Sequence, residues 1–228
     1  MTILYEDNHI IAVCKTCSEI VQGDKTGDTP LSDIVKAYIK DQYHKPGDVF
    51  LGVPHRIDRP TSGVVLFART SKALTRLNQM FQTHELMRKT YWAIVEGCPK
   101  IREARLVNNL MKNEKQNKTY IVQKGKGKEA AMSYKVLVEG DYYTLLEVQL
   151  ETGRHHQIRC QLAAIGHPIK GDLKYGAKRS NPDGGICLHA REISFEHPVT
   201  HEQVTITADA PTDRIWVSLL KQIQPTNE

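Results

Sequence analysis

The run Val64-Val65-Leu66-Phe67-Ala68 is apolar at every position. A strand with one wet face would alternate, so a run of this kind reads as a strand buried in the core. The segment that enters it is opposite in character. Pro54-His55-Arg56-Ile57-Asp58-Arg59-Pro60-Thr61-Ser62-Gly63 packs a carboxylate, two arginines and a histidine into turn-forming chemistry. Asp58 therefore sits on a loop feeding a core strand. With Arg56 and Arg59 on either side, its carboxylate is expected to be ionised at neutral pH, and an ionised, positioned carboxylate can be a nucleophile. The bland alternative is a surface turn in which Asp58 caps its own backbone, and composition does not choose between the two.

The stretch as a whole resembles the HRLDxxTSG signature of the RluA family of pseudouridine synthases, with Ile57 in the usual leucine position. Two further stretches follow in the family's order. Lys89-Thr90-Tyr91-Trp92-Ala93-Ile94-Val95-Glu96-Gly97 reads as a strand with Tyr91, Ala93 and Val95 on one face, where a tyrosine is ordinarily core. It resembles the K-x-Y-x-A-x-V-x-G motif at every named position. Thr152 to Arg159 resembles T-G-R-x-H-Q-I-R, and Gly166 to Gly176 resembles the G-x-P-x-x-G-D-x-x-Y-G tail. Cys187-Leu188-His189-Ala190 resembles a short Leu-His-Ala stretch that ends a strand near the family's pocket.

The resemblance implies an isomerase that converts uridines of ribosomal or transfer RNA to pseudouridine, with Asp58 as nucleophile and no cofactor or metal. It implies that Arg159 pairs with Asp58 and that Tyr91 lies beneath the target base and assists late proton removal. Arg56 would fill the gap left by the extruded base, Leu188 would pack against that base, and His55 and Arg154 would contact substrate. The implied fold is a mixed, largely antiparallel sheet in two joined halves flanked by helices, with the RNA cleft between them; pattern alone gives α+β. Two departures stand out. Cys14-Lys15-Thr16-Cys17-Ser18 replaces the usual Asn-Lys-Pro-x-Gly, and Cys160-Gln161 replaces Val-His. They favour a rival, an RNA-binding protein with the same fold and no activity. A second rival, a glycoside or nucleoside hydrolase, needs another acid beside Asp58, for which Glu151 is the nearest candidate.

The rest of the chain supplies support. Ile3-Leu4-Tyr5 and His9 to Val13 read as a hairpin around Asp7-Asn8. Pro30, at a first helical position, opens a helix carrying Leu31, Ile34, Val35, Tyr38 and Ile39 inward. Ser71 caps a second helix lined by Leu74, Leu77 and Phe81, with Arg88 and Lys89 near its end. Strands from Ile101 to Leu150 enclose a basic segment, Lys112 to Lys128, that reads either as a solvated loop or as a flexible arm gripping RNA phosphates through Lys124, Lys126 and Lys128. A helix after Glu151 places Ile158, Leu162 and Ile165 inward and stops at Gly166 and Pro168. The neighbours His155 and His156 on it would point apart and chelate poorly. Thr212 to Leu220 reads as a closing helix.

A single catalytic domain is expected over 1–222, with a frayed tail over 223–228 and no room ahead of the first hairpin for the RNA-binding domain many relatives carry. The net charge of +5 permits an anionic partner without requiring one. The 5 cysteines are an odd number without an export signal, which argues against a disulfide framework; the N-terminus lacks the layout of a signal peptide, so a cytoplasmic protein is expected, and a monomer with it. Cys14 and Cys17 form a lone C-x-x-C with no second half to complete a zinc site. No apolar run is long enough to span a membrane.

Overall fold

The computed structural model describes residues 1–24, 26–83 and 86–223. Of the tail expected over 223–228, all but the first residue lies outside them. The first strands, β1 (Thr2–Glu6) and β2 (Ile10–Lys15), form the expected antiparallel hairpin, its turn tied by Asp7 Oδ1, which accepts from the amides of His9 and Ile10. Helix α1 (Leu31–Gln42) follows, then β3 (Ser62–Ala68) and helix α2 (Ser71–Thr83). One face of β2 and β3, with Val13, Val65 and Phe67, packs on Leu31, Val35 and Ile39 of α1. The other, with Ala12, Val64 and Leu66, packs on Ala73, Leu77 and Met80 of α2. Cover on both faces is why Val64 to Ala68 never alternates.

The second half is built from β4 (Met87–Glu96), β5 (Glu103–Asn113), β6 (Lys118–Val122), β7 (Lys128–Glu139) and β8 (Tyr143–Leu150). Helix α3 (Gln157–Ala164), β9 (Leu188–Glu196), β10 (Gln203–Thr207) and α4 (Arg214–Leu220) complete the chain. The strands form one sheet in the order β1-β2-β3-β9-β4-β8-β7-β5-β6, with β10 also paired to β9. Strand β9 joins the halves. Its pairing with β3 is the sheet's parallel one and spans two residue pairs, Ser62 with His189 and Gly63 with Ala190. Gly63 makes that closure possible: its φ is 113°, and a Cβ there would stand 2.3 Å from the carbonyl oxygen of Ala190.

Several local expectations shift. Pro30 is the residue before α1 rather than its first turn, and Ile34 points to solvent. Thr70, not Ser71, caps α2, its Oγ1 accepting from the Ala73 amide. Arg88 and Lys89 belong to β4, and Lys89 Nζ lies 5.8 Å from the ring of Phe81 in the last turn of α2. Ile165 is the C-terminal cap of α3 and is exposed, while Gly166 takes the left-handed turn that ends the helix. Leu188 begins a strand instead of ending one. The basic segment is no flexible arm: β5 and β6 pair from Asn109–Val122 to Asn113–Lys118, making it a hairpin at the sheet's edge. No described helix is long and apolar enough to cross a membrane.

Candidate active site

Asp58 sits at the start of a tight turn in which the Thr61 amide donates to its carbonyl at 3.0 Å. The turn is gripped from below by Lys15, fully buried at the end of β2. Its Nζ donates to the carbonyls of Thr16 at 2.8 Å, Arg59 at 2.9 Å and Thr61 at 2.7 Å. Burial pulls its pKa down to about 8, which leaves it charged at neutral pH with three N–H groups for three acceptors. Sequence reasoning matched Lys15 to the family pattern and gave it no role. The one available signal was a lysine closing an apolar strand, where a charged end demands partners.

The cation that meets Asp58 is not either of its neighbours in sequence. Arg59 turns outward to Asp28, 2.6 Å away, and Arg56 is exposed. Arg159, from α3, places Nη1 3.1 Å from Asp58 Oδ2. The rest of its guanidinium is fixed by Asp172, with Nε to Oδ2 at 2.7 Å and Nη2 to Oδ1 at 2.9 Å. Burial works against the charge on Arg159, but hydrogen bonds and charge from Asp172, then from Asp58, outweigh it and raise its pKa. The ring of Tyr175 lies under the guanidinium, 5.1 Å from centroid to carbon. Asp172 precedes and Tyr175 ends a short 3-10 turn, Leu173–Tyr175, in the Gly-Asp-x-x-Tyr-Gly tail.

His155 and His156 precede α3 and do not ride on it, and their rings stack at 3.8 Å instead of diverging. His156 takes a left-handed backbone, φ 51°, which folds it back so that Nε2 comes 3.7 Å from Asp58 Oδ2. Among the described residues no group of three or more His, Cys, Asp or Glu is arranged to hold a metal ion. Cys17 donates to Asp183 Oδ2 at 3.1 Å, and Cys14 stays within β2.

Asp58, His155, His156 and Arg159 line a cleft of about 980 Å³ between the halves, with Arg56, Tyr91, Leu188, His55 and Arg154 also on its walls. Tyr91 comes from β4, and burial followed by the Asp58 charge raises its pKa, so the phenol is neutral. His55 is part of the scaffold: Nε2 accepts from the Leu66 amide at 2.9 Å and its ring stacks on Phe81 at 4.5 Å. Burial, helped by Lys89, lowers its pKa to about 3. Arg154 Nε donates to the Glu129 carbonyl at 3.0 Å. Lys124 and Lys126 lie in the turn between β6 and β7 and Lys128 begins β7, off the cleft wall; among the described residues the lysines on that wall are Lys89, Lys112 and Lys174.

The departures from the family pattern fall outside this cleft. Gln161 is fully buried and its Nε2 donates to the Leu106 and Ala130 carbonyls, while Cys160 packs on Leu110 and Ala130. Glu151 is held by Arg105 on the outer surface, with contacts of 2.6 to 3.1 Å, so it does not face Asp58 as a second acid.

The family model of RNA pseudouridylate synthases matches residues 9–164. Among curated relatives, tRNA pseudouridine synthase C of Vibrio cholerae is 33% identical across 97% of this chain and 95% of its own. Ribosomal large subunit pseudouridine synthase D of Zymomonas mobilis is 31% identical across 93% of this chain and 70% of its own. The solved structure of Human RNA Pseudouridylate Synthase Domain Containing 4 shares the fold, with a TM-score of 0.79 at 23% identity over 97% of this chain and 92% of that one. With the three motifs converging on one cleft, the chain belongs to the RNA pseudouridylate synthases, of the RluA type, and its reaction is the isomerisation of uridine in RNA to pseudouridine.

Proposed function

We propose that Asp58 is the nucleophile of this isomerisation and that Arg159 keeps its carboxylate charged and aimed. The observation that carries the reading is the pairing of the cleft carboxylate with a buried arginine whose other nitrogens are already held by Asp172. The reaction breaks the bond from ribose C1′ to the base nitrogen, turns the base, and joins C1′ to carbon. One proton leaves that carbon and one is gained by the freed nitrogen. A carboxylate can hold one half of the substrate covalently while the other turns.

The remaining residues receive roles that follow from position and chemistry. The target base must leave its stack to reach the cleft, and exposed Arg56 offers a planar guanidinium to occupy the gap. Tyr91 and Leu188 form the apolar surface on which the base lies. When Asp58 enters an adduct its charge is lost, which removes one of the two causes holding the proton on Tyr91 and readies the phenol for the late proton transfer. Arg154 and the lysines of the hairpin and cleft face RNA phosphates. We place the enzyme in the cytoplasm, as a monomer acting on ribosomal or transfer RNA, the substrates named for its relatives.

Single-turnover conversion of a target RNA by wild type and Asp58→Asn tests the reading, with binding measured on the same samples. Asn keeps the shape and removes the charge. Conversion should vanish and binding persist, because affinity comes from phosphate contacts spread along the cleft. Conversion within about tenfold of wild type would remove Asp58 from the role, since loss of a nucleophile costs far more. Persistent binding without conversion in the wild type itself, across ribosomal and transfer RNA, would favour the inactive RNA-binding alternative.

A further inference from the structure

The Gly-Asp-x-x-Tyr-Gly tail carries a tyrosine whose hydroxyl is buried among three partners. The Thr119 amide donates to Tyr175 Oη at 2.8 Å, the Thr119 carbonyl lies 3.2 Å away, and His156 Nδ1 lies 3.0 Å away. One face of the imidazole is covered by His155 and its far nitrogen looks at Asp58 Oδ2. The hydroxyl has a single hydrogen, so it satisfies either the carbonyl or the imidazole. If it bonded the carbonyl, the proton of His156 would lie on Nδ1, and the Nε2 lone pair would face a carboxylate. That arrangement is repulsive. If it bonds Nδ1, which is also the shorter contact, Nε2 carries the hydrogen and presents it to the anion.

We propose that Tyr175 and His156 are positioning residues for the nucleophile: Tyr175 fixes His156 as the Nε2–H tautomer, and His156 and Arg159 together engage Oδ2, leaving Oδ1 as the oxygen shown to the substrate. The proposal rests on the assignment of Asp58 as nucleophile. Both donors address the same oxygen, and among the described residues none donates to Oδ1. The 3.7 Å separation is long for a hydrogen bond, as is common before substrate binds. His156 remains neutral throughout, because burial, then Arg159, lowers its pKa to about 2. A neutral donor orients the carboxylate without neutralising it, whereas a second full cation would blunt the nucleophile. Thr119, on the edge hairpin, anchors the whole arrangement through its backbone and through Oγ1, which meets His155 Nδ1 at 2.7 Å.

The test pairs nitrogen-15 NMR of histidine-labelled protein with single-turnover kinetics on wild type, Tyr175→Phe, His156→Gln and the double variant. The His156 signals are assigned by their loss in His156→Gln. In the wild type at neutral pH the proton should sit on Nε2, and Tyr175→Phe should populate the other tautomer. Each single variant should slow conversion by roughly tenfold or more, the scale of a small misplacement of a reacting group, at unchanged RNA affinity. The double variant should be no slower than the worse single one, because both act through one contact. A wild-type proton on Nδ1, full-rate conversion by Tyr175→Phe, or losses that multiply would each overturn the proposal. Should Tyr175→Phe fail to fold, the wild-type tautomer and the His156→Gln rate still decide it. Asp58→Asn run alongside separates the two levels: activity in that variant removes the nucleophile itself, while an inactive Asp58→Asn beside a full-rate Tyr175→Phe removes only the positioning pair.

Discussion

Arg159 touches Asp58 with one nitrogen and Asp172 with two, so the buried carboxylate of Asp172 decides where the guanidinium points. Asp58 is on the cleft wall and Asp172 is 1% exposed, which divides them into a group that meets substrate and a group that holds its partner. Asp172→Ala should cost about 3–5 kcal/mol, because it leaves a buried arginine half-paired. Arg159→Met keeps an apolar stem of similar length but leaves the buried Asp172 carboxylate without its partner, so it should cost a comparable amount of stability, and conversion should fall even where the variant is fully folded. Urea denaturation and single-turnover conversion on both variants check this, and full activity in Arg159→Met would move the role to another cation.

Lys112 and Lys174 stand on the cleft wall, whereas Lys124, Lys126 and Lys128 stand at the turn from β6 into β7. Lys174 Nζ is held by the Asn117 carbonyl at 3.1 Å, which keeps its charge beside the hairpin tip. Each lysine that neutralises a phosphate should contribute about 0.7–0.9 to the slope of log affinity against log salt. Titrations at several salt concentrations with Lys112→Ala and Lys174→Ala, then with Lys124, Lys126 and Lys128 changed to Glu, would map the footprint. A slope that stays at the wild-type value in the triple variant removes the β6–β7 turn from the RNA path.

Acid should unfold the protein through its buried neutral histidines. Burial lowers the pKa of His55 to about 3 and of His189 to about 4. Both lie below the unfolded value, so between roughly pH 6.5 and those values the unfolded chain binds protons that the folded one refuses. Stability is therefore complete above that range and is lost as pH falls through it, by up to about 1.4 kcal/mol per pH unit for each group. His189 bridges the halves, with Nδ1 on Ser62 Oγ at 2.8 Å, so its protonation acts at the joint between β3 and β9. Denaturation free energies from pH 7 to 4.5 measure the slope, and His189→Asn should make it shallower. An unchanged slope would place the acid sensitivity elsewhere.

The strands were legible where their period was unambiguous. Val64 to Ala68 declared a doubly covered strand, and Tyr91, Ala93 and Val95 declared one face of β4, because burial imposes those patterns directly. The edge hairpin was not legible. Its lysines and glycines have the composition of a solvated loop, and only the pairing of β5 with β6 makes strands of it. Asp58, Arg159 and their pairing could be named from motif resemblance, whereas local charge alone pointed to Arg56 and Arg59 as the partners of Asp58. Neighbours along a turn point apart, whereas Arg159 arrives from 101 positions away through the packing of α3. Asp172, Tyr175 and Lys15 escaped for the same reason: their partners are backbone groups or side chains brought by other elements.

Lys15 gives the sharpest test of how the fold holds the nucleophile. Its ammonium is the common donor for three carbonyls, two of which, Arg59 and Thr61, belong to the turn that begins at Asp58. Lys15→Met fills much of the same volume with an apolar chain and leaves those carbonyls without their donor, that of Thr61 in a buried contact. An unsatisfied buried acceptor costs about 1–3 kcal/mol, so the loss should be on the order of 1–3 kcal/mol, set mainly by Thr61. The turn should loosen before the sheet does, because β2 keeps its pairing with β3 from Ile10–Ala68 to Lys15–Gly63. Conversion should then fall further than RNA binding, and amide exchange should quicken at Thr61 and Ser18, whose N–H groups donate within this turn to the carbonyls of Asp58 and Arg59. Urea denaturation, single-turnover conversion and hydrogen exchange on Lys15→Met measure the three effects. Wild-type stability together with wild-type exchange at Thr61 would show that the turn holds itself, and that Lys15 is only a charge the fold tolerates.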